Sequence, residues 1–96
     1  MPILFCSAEL YLPECHSLKE KRRVIKSAQE KLRNRFKCSV SELDHQELWQ
    51  RSRIGLAVIA SDRRVLDQMA DRIQEECVQI LGGSLLNFTS ELLEHE

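Results

Sequence analysis

The segment Ser17 to Phe36, SLKEKRRVIKSAQEKLRNRF, leaves the chain the fewest ways to fold. At about 100° per residue, Leu18, Val24, Ile25, Ala28, Leu32 and Phe36 fall on one apolar arc, so this is a helix with a face to bury. Ser17 with Glu20 three residues on reads as a capping box. The hydroxyl takes an orphan N–H, and the carboxylate reaches back to the Ser17 N–H. Lys19, Arg22, Lys26 and Arg33 occupy the adjacent arc, with Arg23 beyond it. Nine of the fourteen Lys and Arg lie between Lys19 and Lys37, opposed only by Glu20 and Glu30, a local excess of seven positive charges. Four of these cations sit in the first turns, where the helix dipole disfavours them, so helix stability does not account for their placement. Lys21 projects into the apolar arc. Its stem is expected along the core edge with the ammonium reaching out to water; the alternative is a buried carboxylate partner.

The remaining segments supply a layer for that helix to cover. Ile3 to Leu12 alternates as a strand, with Leu4, Cys6, Ala8, Leu10 and Leu12 on one face and Ile3, Phe5, Ser7, Glu9 and Tyr11 on the other. Pro13 stops it. Cys38 to Leu43 reads as a short, polar edge strand whose Ser and Glu discourage unwanted pairing. Asp44 to Arg53 reads as a loop, and the nearly continuous apolar run Ile54 to Ala60 as a central strand. Ser61 or Asp62 caps a second helix to about Leu81, buried through Leu66, Met69, Ile73, Cys77 and Ile80. Gly82 and Gly83 supply its left-handed stop, and Leu85 to Leu93 is the last strand.

The order β-α-β-β-α-β predicts an α+β, ferredoxin-like sandwich over residues 1–96 as a single domain. The sheet is expected antiparallel in the order 4-1-3-2, with both helices on one face. Leu4, Ala8, Leu10, Ile25, Leu32, Val58, Ile73 and Phe88 are the expected core. Chain directions then gather His16, Lys19, Arg22, Arg23, Asp44, His45, Trp49, Arg51 and Arg53 at one pole.

The net charge of −1 hides an uneven split. From Ile54 onward three Arg face eight Asp and Glu, so a basic first helix is balanced by an acidic second half. That asymmetry points to a nucleic-acid-facing side or to self-association of unlike faces. No apolar run approaches the roughly 20 residues of a membrane span, and Met1 to Leu12 lacks the parts of a secretory leader, so a cytoplasmic location is expected. Cys6, Cys15, Cys38 and Cys77 show no Cys-x-x-Cys spacing, and no metal or cofactor is expected. Cys6, Cys38 and Cys77 are read as core thiols; Cys15, in a loop, is the one to test for reactivity.

LPECHSLKEKRRVIKS followed by VSELDHQELWQRSRIGLAVIASD resembles the YlxP-like family of small bacterial proteins, a domain of unknown function. The similarity runs over nearly the whole chain, and its most specific parts are Ser17 to Arg23 and Asp44 to Arg51. The resemblance implies a ferredoxin-like fold and a gene neighbourhood among translation genes, beside an initiation factor and a ribosome-binding factor. It implies no catalytic residue.

Three function classes follow. A protein associated with RNA or a ribosomal subunit would use Lys19, Arg22, Arg23, Lys26 and Arg33 for phosphates, extended across the pole by Arg51 and Arg53. Trp49 would serve there as a stacking platform, although a plug over the end of the core is the simpler expectation for it. A protein-interaction module, monomeric or homodimeric, would cover the bare sheet face carrying Ile3 and Phe5. An enzyme would draw on the polar cluster of Cys15, His16, Asp44 and His45. Adjacent Cys15 and His16 tend to point apart, and Asp44 beside His45 is more simply a loop-organising pair, so catalysis is not expected.

Overall fold

Strand alternation and helical spacing sort the chain into two layers, a sheet and a pair of helices packed on one of its faces. The computed structural model describes residues 1–94. Its elements are β1 (Pro2–Tyr11), α1 (Leu18–Phe36), β2 (Ser39–Asp44), β3 (Arg51–Ile59), α2 (Arg63–Leu81), a 3-10 turn (Gly82–Ser84) and β4 (Leu85–Glu94). The sheet order is β2-β3-β1-β4 with every pair antiparallel, which is the expected 4-1-3-2 read from the other edge. The fold is therefore the ferredoxin-like sandwich.

The core forms where the inward faces of the central strands meet both helices. Leu4, Cys6, Ala8 and Leu10 of β1 and Ile54 and Leu56 of β3 are buried with Ile25, Ala28 and Leu32 of α1 and with Leu66, Ile73 and Cys77 of α2. Of the expected core, Val58 and Phe88 are only half-buried and pack against it.

Three local expectations change. First, β3 begins at Arg51, because alternation continues through a polar stretch: Ser52 points inward and is fully buried, while Arg51 and Arg53 take the opposite face. The connecting loop is therefore shorter than Asp44 to Arg53. Second, the buried stripe of α1 is Lys21, Ile25, Ala28, Leu32 and Phe36. Val24 lies outside it and is 41% exposed. Third, Gly82 ends α2 with φ 53° but ψ −130°, outside the left-handed helical well, its N–H donating to the Val78 carbonyl. Gly83 has no positive φ.

Gly55 has a steric reason. A Cβ there would lie 2.4 Å from Leu43 Cδ1 and 3.3 Å from Phe5 Cε1. Leu43 sits at the register shift between Glu42 and Asp44 and folds across β3, which only a residue without a side chain permits.

Candidate nucleic-acid interface

The first turn of α1 is held by its own residues. The Ser17 hydroxyl accepts the Glu20 N–H at 3.1 Å, and Glu20 Oε2 accepts the His16 N–H at 2.9 Å, one residue before the Ser17 N–H that the capping box predicted. With the turn fixed, Lys19, Arg22, Arg23 and Lys26 project into solvent, and none makes a hydrogen bond or ion pair with a described residue. Arg33, further along, donates to the Val40 carbonyl of the β2 edge at 3.3 Å. Arg35, by contrast, pairs with Glu76 of α2 at 3.4 Å. Lys31, also exposed and without an ion pair among the described residues, lies beside Ile80 of α2 and so stands apart from that row.

Lys21 departs from this row. Its side chain is buried, with the ammonium 2.9 Å from Glu42 Oε2 and donating also to the His45 carbonyl. Ser52 donates to the same Glu42 oxygen at 2.6 Å. The expected snorkelling is replaced by an ion pair, because position 21 opens the buried stripe and its side chain, 2% exposed, turns inward to Glu42 rather than out to water. Glu42 faces inward across from Ile54, so on this edge strand its charge serves the interior. The network ties α1 to β2, β3 and the loop at His45. His45 has φ 63°, and its N–H donates to Asp44 Oδ1 at 2.8 Å, the loop-organising pair expected from the sequence.

Arg51 and Arg53 do not continue the cation row. They lie on the sheet face opposite the helices, where both approach Glu9, Arg51 at 3.4 Å and Arg53 at 4.0 Å. Arg53 also donates to the Ser7 hydroxyl at 2.7 Å, and His45 Nε2 comes within 3.5 Å of Glu9. Strand register makes this cluster: Glu9 stands opposite Arg53, and Tyr11 opposite Arg51. Arg51 Nε is buried without a hydrogen bond among the described residues. Trp49 is 50% exposed, so it does not plug the core. His16 is exposed, and no hydrogen bond or ion pair joins its side chain to Asp44 or His45.

All four thiols are buried, Cys15 included, since its loop folds back through the Cys15 N–H to the Leu12 carbonyl at 3.1 Å. Burial pushes the Cys15 thiol above its ordinary 9.0, with Glu20 and Glu14 adding and Lys21 opposing. Burial, the largest cause, also takes Cys6 to about 12 and Cys77 to about 11. The fold favours the neutral thiol. That contribution to stability is complete below the ordinary value and is lost as pH rises through the folded one, so stability should fall from about pH 9 towards pH 12. A thiol reagent at pH 8 should label no cysteine rapidly in the native protein and all four in denaturant. Rapid native labelling of Cys15 would restore it as a nucleophile. Among the described residues no three His, Cys, Asp or Glu side chains converge as metal ligands, and no helix is long and apolar enough to cross a membrane.

A fold this common defines only a structural class, and sequence narrows it further. Designed protein Foldit4 matches with a TM-score of 0.55 at 11% identity, covering 99% of this chain and 98% of its own. An antibiotic biosynthesis monooxygenase matches with a TM-score of 0.54 at 15% identity, covering 100% and 99%. At such identities the likeness shows the fold alone. A family model described as Protein of unknown function (DUF503) matches residues 3–88, and the chain belongs to that family. The uncharacterized protein YlxP of Bacillus subtilis (strain 168) is 35% identical over 69 residues, which are 72% of this chain and 75% of that protein.

Proposed function

We propose that this chain is a non-enzymatic, cytoplasmic binding protein that acts near translation and holds RNA, free or within a ribosomal subunit, by its phosphates on the outer side of α1. The observation that carries this reading is the row Lys19, Arg22, Arg23 and Lys26, exposed and without a carboxylate partner among the described residues. Lys19 stands in the first turn, where the helix dipole disfavours a cation, and no carboxylate among the described residues offsets the row. A polyanion supplies the missing countercharge and gains from the counterions released on binding. The translation-gene neighbourhood implied by the family resemblance favours RNA as that polyanion. The burial of Cys15, which pushes its thiol above the ordinary value and so away from the nucleophilic thiolate, supports the non-enzymatic part of the proposal.

The test is a salt titration of single-stranded RNA binding. Replacing Arg22 and Lys26 with Glu should weaken binding across RNA sequences and flatten the dependence of log K on log salt by about 0.7 for each phosphate no longer neutralised. The melting temperature should hardly move, because both positions are exposed. Trp49→Ala should weaken binding at an unchanged slope if the indole stacks on a base. No binding by the wild type at low ionic strength, to RNA or to ribosomal subunits, rejects the proposal. A homodimerising or protein-interaction module then takes its place. That reading is favoured by the apolar end of the open sheet face, where Ile59 is 63% exposed beside Ile3 and opposite the helices.

A further inference from the structure

The two edges of the sheet differ in how they meet solvent. β2 is closed along its free side. It spans six residues, carries a register shift between Glu42 and Asp44, and turns the Glu42 charge inward. Two of its carbonyls are taken by side chains: Arg33 donates to Val40 at 3.3 Å, and Gln46 donates to Glu42 at 3.4 Å. These devices keep an edge strand from pairing with another chain. β4, at the other edge, is left open. It spans ten residues without Pro, Lys or Arg, and its register shift lies at its start, opposite Glu9 and Leu10. No side chain of a described residue hydrogen-bonds its backbone, and only Glu91 and Glu94 put charge on it.

We infer that the free side of β4 receives β4 of a second copy of this chain, antiparallel about a two-fold axis at Ser90, so that the two sheets run on as one. The side-chain pattern of the strand selects this occupant. Phe88 and Leu92 stand opposite Ala8 and Leu4, on the helix side, and are only half-buried. Pairing centred on Ser90 sets Phe88 against Leu92 of the second copy, and symmetry repeats the contact, which covers both side chains. On the open face Thr89 meets Glu91 of the second copy and donates its hydroxyl to that carboxylate, and no like charges stand directly opposite. The pairing also satisfies the outward N–H and C=O groups of the strand. It brings α2 of each copy alongside. Val78, 53% exposed, lies within about 60° of Arg63 on that helix. Arg63 reaches Glu94 of β4 at 3.2 Å, so Val78 flanks the same edge. Asp67 is on this flank too, and neither it nor Glu91 has a cation partner among the described residues. The edge is therefore acidic, and salt should tighten the pairing, the reverse of its effect on RNA held by α1.

The test is sedimentation of the full chain at about 100 µM. The wild type should sediment at twice its 11.2 kDa mass, and more completely as salt rises. Ser90→Lys sets two ammonium groups opposite one another at the axis. It should sediment as a monomer and keep the wild-type circular dichroism spectrum, because Ser90 is exposed. Thr89→Lys faces Glu91 of the second copy and should remain a dimer. Ser90→Cys should form a disulfide-linked dimer on mild oxidation, since opposite residues of an antiparallel pair have their Cα atoms about 4.5–5.5 Å apart. Ser41→Cys, exposed on β2, should not, and the four native thiols are buried and do not compete. A wild-type monomer at every salt concentration, a dimer that Ser90→Lys does not dissociate, or no cross-link through Ser90→Cys overturns the inference and leaves the edge to a strand of another protein. Each of these results leaves the phosphate row standing, since that row is on α1.

Discussion

Glu42→Ala is expected to lower the unfolding free energy by about 3–5 kcal/mol, the loss typical of a buried ion pair with one partner removed. The substitution leaves the Lys21 ammonium in the interior with the His45 carbonyl as its remaining acceptor. It also frees Ser52, whose hydroxyl donates to the same carboxylate oxygen. Lys21→Met should cost less. Glu42 is 20% exposed against 2% for Lys21, so its carboxylate keeps Ser52 and some access to water. The double variant Lys21→Met/Glu42→Leu should recover most of the loss, because neither desolvated charge remains. Denaturant midpoints of the three variants decide this. A Glu42→Ala loss under about 1 kcal/mol would mean that the ammonium finds water and that the network does not hold α1 to the sheet.

Leu32→Ala should cost about 2–5 kcal/mol, since the side chain is 0% exposed where α1 meets the sheet and leaves a cavity that its neighbours fill only in part. Val24→Ala is the matched control on the same helix. Val24 is 41% exposed, so its truncation should cost under about 1 kcal/mol. Thermal or chemical denaturation of the pair separates two positions that the apolar arc of the sequence treats alike. Similar losses at both would place Val24 in the core.

The Val24 and Lys21 positions show where sequence reading stops. Helical spacing counts apolar residues, and Lys21 enters such a count as a fault in the arc; the partner that makes it a core residue, Glu42, is far along the chain on another element. Pairing across that distance leaves no periodic trace. Arg51 and Arg53 read as loop residues for a related reason. Their strand carries its polarity at one end, and a rule that looks for apolar runs begins at Ile54, three residues into the pairing with β1. Trp49 and Cys15 reverse the expectation for loop side chains. Size and apolarity alone send the indole inward and leave the small thiol at the surface, whereas the backbone bond from Cys15 to Leu12 turns the thiol inward and the indole stays half exposed.

What the sequence determined by itself was the order and type of the elements, the antiparallel sheet and the cation row on α1. Each of these follows from local periodicity, capping and short connections, which depend on neighbours only a few residues apart. The tertiary structure alone decided which cations remain free. It placed Lys21 against Glu42, set Arg51 and Arg53 around Glu9 on the far face, and left Lys19, Arg22, Arg23 and Lys26 exposed and without a carboxylate partner among the described residues. The physical reason is that a charge's partner is fixed by distance through space, and strand register and helix rotation set that distance only once the layers have packed.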